Sequence, residues 1–358
     1  MLRTPFVATA VLLAAATAQS PLHQTIPAAY DSAEANSLLW VAGTGSPVHQ
    51  QTLIGASHLT HLVGRELTAL VLRRAAFNGD FEPAAPQWTI HLSHTNVSPL
   101  QCRPQFAHNT GANPQTVFQG QVQAPQSPAN TSNAIPWTTA NTIRAEFQTP
   151  FVYTGGTLCL DLIGTPTQGQ TSRWWVADAV WEDIPGAAQE IGAGCGAYGG
   201  PQSRWAFTDV YTLMPGARAT FWALGAPNSF GVAVVGAGSS TPIPLAAFGL
   251  PAPGCDIHLN PALVLLTTLA FFEIDPNSFF PEGKARVQIQ LPAAPWVFGM
   301  TLATQWFDLM QPASSNALQW TVAGQLPTLD LAHVDGVPNH AEGNVTLHLA
   351  PVYRFEYR

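Results

Sequence analysis

The residues of this chain with the most definite chemistry are its four cysteines, Cys102, Cys159, Cys195 and Cys255. In an oxidising compartment such cysteines pair. Three connectivities exist, and the simplest joins neighbours along the chain, Cys102 with Cys159 and Cys195 with Cys255. Each bridge would close a loop of about 60 residues, for which the chain-entropy model gives about 4 kcal/mol. Reduced structural cysteines are the alternative, and none of the four has the sequence surroundings of a catalytic nucleophile.

Two histidine pairs stand at i, i+3 spacing, His58 with His61 and His91 with His94. On a helix that spacing would aim both rings at one metal ion. The second pair falls in a strand pattern, where Trp88, Ile90, Leu92 and His94 share one face and His91 takes the other, so its rings point apart. His58 and His61 could share a helical turn, but no third ligand follows nearby. No metal and no cofactor is predicted, and neither a zinc-protease helix nor an EF-hand loop occurs.

Hydrolysis needs a nucleophile elbow or two facing carboxylates. No G-x-S-x-G is present, and the small residues at 236–240 read as a turn after a strand. Carboxylate pairs such as Asp178 with Glu182 and Asp183, or Glu273 with Asp275, are what any chain with 21 acidic residues offers. Asp161 is more unusual, because it interrupts the apolar pattern of 157–163 on the face of Cys159 and Ile163. A buried acid needs a partner such as an arginine, and a structural role is expected. The glycines at 192–200 lack the lysine of a P-loop and read as a linker.

Eleven tryptophans on a background rich in amides suggest sugar recognition, in which an exposed indole stacks on a pyranose ring. Within 173–181, Trp174 and Trp175 must point to opposite faces of a strand. Trp175 and Trp181 share a parity opposite to Trp174, Val176 and Val180, which makes them the candidates for a ligand platform or a domain interface; core packing is the alternative.

The elements that must hold these residues are strands. Apolar or alternating runs recur at 67–72, 88–92, 117–122, 143–147, 157–163 and 174–181, separated by Asn, Gly and Pro turns. A second series occupies 205–213, 217–224, 231–235, 263–272, 285–291, 300–307 and 318–322. With 31 Pro and 29 Gly breaking helices, this is the rhythm of an all-β protein of two β-sandwich, jelly-roll-like domains. Glycines crowd into 185–201, which places the boundary there: 19–186 form the N-terminal domain and 187–324 the C-terminal domain. Residues 325–358 form a tail whose strand-like run at 345–357 can pair with either. The two halves are expected to fold separately, with the tail as the weak point of that division.

Residues 1–18 read as a secretory signal peptide, with Arg3, an apolar stretch at 6–16 and Ala16-Thr17-Ala18 ahead of Gln19. A second apolar run at 261–272 is too short to span a bilayer and reads as a buried strand or core segment, so the mature chain is predicted to have no transmembrane span. Net charge is −8 and Lys284 is the sole lysine, which disfavours nucleic acid as a partner. Charged residues make up only 9% of the chain, so its surface must be largely uncharged and polar.

The stretch from Ile90 to Val117, with Pro150-Phe-Val-Tyr153 and Gly156-Thr-Leu-Cys-Leu-Asp-Leu162, resembles the N-terminal module of many uncharacterised exported planctomycete-type proteins. Gly194-Cys195-Gly196, Pro253-Gly254-Cys255, Gln305-Trp-Phe-Asp308 and Ser314-Ser-Asn-Ala-Leu318 are similar to their second module. The resemblance implies a secreted or cell-surface protein of two β modules and transfers no catalytic residue; the tail falls outside it. The expected function is that of an exported, periplasmic or cell-surface binding protein without enzymatic activity, its partner a glycan or another envelope component. A structural or adhesion subunit is the alternative, and a secreted carbohydrate hydrolase the third.

Overall fold

Strands form almost wherever apolar and polar residues alternate, and helix is confined to single turns such as Phe106–Asn109. The computed structural model describes residues 22–167, 175–196, 206–250, 252–274, 283–308, 310 and 313–358. The expected signal peptide, Trp174 and Asp275 lie outside the described residues.

In the N-terminal half the strands are β1 (Leu22–Ile26), β2 (Ser37–Trp40), β3 (Val48–Ile54), β4 (Arg65–Arg73), β5 (Gln87–Thr95), β6 (Gln115–Gln121), β7 (Thr142–Tyr153), β8 (Thr157–Thr165) and β9 (Val176–Trp181). The middle of the chain adds β10 (Ala187–Ile191), β11 (Ala206–Thr208), β12 (Arg218–Gly225), β13 (Phe230–Pro244), β14 (Asp256–Phe271), β15 (Gly283–Gln290), β16 (Thr301–Asp308), β17 (Ala313–Ser314) and β18 (Ala317–Thr321). The tail contributes β19 (Leu331–Gly336), β20 (Asn344–Leu347), β21 (Leu349–Pro351) and β22 (Tyr353–Tyr357).

Tail strands are built into the N-terminal sheets. β22 lies between β1 and β4 in the order β1-β22-β4-β7, β19 and β20 open the order β20-β19-β3-β8-β5-β6, and β21 completes β2-β9-β21. Their core is supplied by period-two apolar positions, Trp88, Ile90 and Leu92 of β5 and Leu158, Leu160 and Leu162 of β8, meeting Leu70 and Leu72 of β4 and Phe355 of β22. Residues 325–358 are therefore part of this sandwich rather than an appendage, and a cut near residue 188 would strip it of four strands. The middle segment forms sheets β10-β18-β16-β13-β14 and β11-β12-β15 around a second core of Phe221, Phe272, Trp306 and Trp320.

The chain crosses between the two groups twice, side by side. Glu182 on the outward crossing accepts hydrogen bonds from Thr328 N at 2.8 Å and Leu329 N at 2.6 Å on the return. At Gly186 a side chain would come within 2.5 Å of Leu213 Cβ, so only glycine allows this approach. A third apolar cluster then joins Leu53, Phe106 and Val334 of one group to Met214, Ala217 and Ala323 of the other. The boundary predicted from glycines is thus a packed seam.

Two consecutive arginines at the end of the β4 ladder are fully buried. Arg73 donates to Asp178 Oδ2 at 2.5 Å and to the carbonyls of Tyr30, Ala33 and Ile135, while Arg74 donates to Ser127 Oγ at 2.7 Å and lies over the Phe81 ring. They anchor the long connection between β6 and β7, whose proline-rich sequence supplies carbonyls and few donors.

Candidate functional site

Between the two groups lies a cleft of about 1120 Å³. One wall is the outward face of the β12–β15 ladder. Thr220 stands opposite Gln288, Trp222 opposite Arg286 and Leu224 opposite Lys284, while Ala219, Phe221, Ala285 and Val287 at the alternate positions enter the core. The facing wall comes from the β19–β20 hairpin, with Asp335, His340, Glu342, Asn344 and Thr346, and the end of β14 contributes Leu269, Phe271 and Glu273.

This wall is ordered by its own contacts. Trp222 stacks on Phe207 with ring centroids 5.5 Å apart, and the Lys284 ammonium lies 5.5 Å from the Trp222 ring centre. Arg286 bridges the cleft to Glu342 at 3.1 Å, and Gln288 Nε2 donates to Thr220 Oγ1 at 3.3 Å. Asp209 accepts from Tyr211 N at 3.0 Å, and burial holds its carboxyl, like that of Asp335, above the usual range. Burial and the neighbouring Arg103 lower the Arg218 guanidinium, whose Nε is buried without a partner among the described residues. The cleft thus combines the half-buried Trp222 indole with donors, acceptors and one guanidinium free of carboxylates among the described residues.

The tryptophans expected to form a platform lie elsewhere. Trp175 is 0% exposed, packed beside Phe81 with its indole donating to Pro125 O at 2.8 Å, and is a core residue. Trp181 is half-buried and meets Tyr211 edge-on at 5.2 Å, which makes it a contact between the two groups. The parity argument fails for Trp175, which precedes β9 and packs into the core, whereas Trp181 takes the interface place that the parity also allowed.

Cys195 and Cys255 form a disulfide, but Cys102 and Cys159 are free, which corrects the expected second bridge. Both free thiols are buried in the apolar seam between the two groups. Burial pushes the Cys102 thiol up to about 12 and raises that of Cys159 as well, so neither is a nucleophile. The Cys102 thiol is directed at Arg103 O, while Cys159 bonds with Ser93 and Thr110 instead of with Cys102.

Asp161 is buried and accepts from Gln51 Nε2 at 2.7 Å, with His49 Nε2 2.9 Å away, so its partners are a histidine and an amide in place of the expected arginine. Asp178 and Glu182 hold the fold as described above. His91 pairs with Thr116, whereas His94 accepts from Thr154 N at 3.0 Å on the other face of β5. His58 and His61 lie in two separate short turns, and no group of three metal-ligating side chains occurs among the described residues. Residues 236–240, read as a turn, lie inside β13. The 261–272 run is a strand as expected but is largely exposed, contrary to its reading as buried core.

The cleft residues were missed, although their signal is present. Arg218-x-Thr220-x-Trp222 and Lys284-x-Arg286-x-Gln288-x-Gln290 alternate polar with apolar residues and gather three cations in a chain with few charges. No family model, curated protein or solved structure matches the chain. The architecture defines an all-β protein with multiple antiparallel sheets and one disulfide, and no helix among the described residues is long and apolar enough to cross a membrane.

Proposed function

We propose that this is an exported binding protein that seats a glycan in the cleft between its two β-sandwich groups. The observation that carries the reading is the Trp222 ring at the cleft wall, braced by Phe207 and Lys284 and flanked by Thr220, Gln288, Arg218 and Asn344. An indole offers an apolar surface for the face of a sugar, and closely spaced donors and acceptors suit its hydroxyls. A mixture of cations and carboxylates matches a neutral polyhydroxylated ligand better than a polyanion. Export is supported by the amino-terminal signal pattern and by the Cys195–Cys255 bridge.

A glycan array followed by titration calorimetry on the full protein tests this. Trp222→Ala should weaken binding about tenfold, the value of one aromatic stacking contact, with little change in melting temperature. Binding that is unchanged in both Trp222→Ala and Arg218→Ala would overturn the assignment.

A further inference from the structure

Strand β14 ends its sheet, and among the described residues its outer edge pairs with no other strand. Edges of this kind are normally blunted by lysine, proline, a bulge or shortness. Here those devices end at Leu265: Pro261 interrupts the strand, and the β13–β14 register shifts between Val235 and Ile243, the last shift falling opposite Leu265. From Leu266 to Phe271 the pairing with β13 is regular, and between Asp256 and Glu273 there is no Asp, Glu, Lys or Arg. The strand also exposes a run of large apolar side chains. Leu265 is 67% exposed and Leu269 65%, and Leu263, Val264, Leu266, Phe271 and the neighbouring Phe230 are exposed as well.

We propose that residues 264–271 of β14 pair antiparallel with the same segment of a second copy, joining two sheets across a twofold axis. An isologous contact of this type needs a segment that tolerates itself in reverse, and an uncharged run of Val, Leu, Thr, Ala and Phe places no like charges opposite one another. With the flanking Leu263 and Phe230, these residues expose on the order of 700 Å² of side-chain surface at about 200 Å² per large side chain, of which edge pairing covers the part beside the new neighbour. Phe230 and Phe271, whose rings are 4.9 Å apart, would extend the contact along one face of the joined sheet. Leu269 and Phe271 also border the cleft, so the second copy would lengthen its wall.

Sedimentation equilibrium of the full protein over a concentration series reads this directly. The expected result is a dimer, dissociated at least about 100-fold more readily by the double substitution Leu265→Lys and Leu269→Lys, which would bury unpaired charge at the contact. Trp296→Lys, at an exposed aromatic outside β14, should leave the dimer intact. In the unmodified protein, amide exchange at 264–271 should slow as concentration rises, which needs no variant to fold. A wild-type monomer throughout, a dimer that survives the double substitution, concentration-independent exchange, or a monomer that sediments with phosphatidylcholine vesicles would each overturn the proposal.

Discussion

His333 should contribute a loss of stability on acidification. Its ring is buried in β19, with Nδ1 3.1 Å from Thr52 Oγ1, which in turn is 2.8 Å from Tyr353 OH; Nε2 is buried with no partner among the described residues. Burial lowers its pKa from the ordinary 6.5 to about 4. The unfolded chain therefore takes up a proton near pH 6.5 and the folded chain only near pH 4, so stability falls as pH drops through that window. Linkage gives about 2 kcal/mol lost between pH 7 and 5 and about 3 kcal/mol by pH 4. Glu34 acts with the opposite sign, because burial raises its carboxyl to about 7 and the folded state holds that proton more tightly as pH rises from 4.5. Comparison with His333→Asn isolates the histidine, since Glu34 is common to both proteins and Asn keeps a polar atom near the Nδ1 position. Urea denaturation at a series of pH values should show the variant, relative to its own stability at pH 7, more stable than the unmodified protein by those amounts at pH 5 and pH 4. An identical pH dependence in the two proteins would refute the claim that His333 is buried neutral.

Asp178→Asn should cost about 3–5 kcal/mol in chemical denaturation, because it leaves the fully buried Arg73 guanidinium without its counter-charge; a loss below about 1 kcal/mol would mean that the three carbonyl acceptors suffice. Cys195→Ser with Cys255→Ser should lower stability by about 4 kcal/mol, the loop entropy of a 60-residue separation. Thiol titration of the unfolded, unreduced protein should find two free thiols, Cys102 and Cys159, and a count of zero would restore the second bridge.

Much of the architecture was legible because burial in a sheet writes period two into the chain. The core positions of β5, β8, β12 and β15 can all be read this way, and the Cys195–Cys255 pair follows from the neighbouring placement of two cysteines along the chain. Local pattern failed where long-range neighbours decide. It could not show that Trp175 packs into the core, or that β14 ends a sheet, which exposes a run that reads as core. The cleft escaped for a related reason: its second wall comes from the tail, more than 40 residues beyond β15, and only the fold brings them together.

The place of β22 between β1 and β4 carries a consequence for how the chain is made. When the first 324 residues have emerged, β1 has no neighbour to pair with and β4 lacks one of its two partners. The order of synthesis therefore opposes early closure: the N-terminal sandwich waits for the last five strand residues, while the middle segment already holds its strands and its disulfide partners. Pairing across such separations makes folding slow, and the sheet stays open between β1 and β4 until β22 has been made.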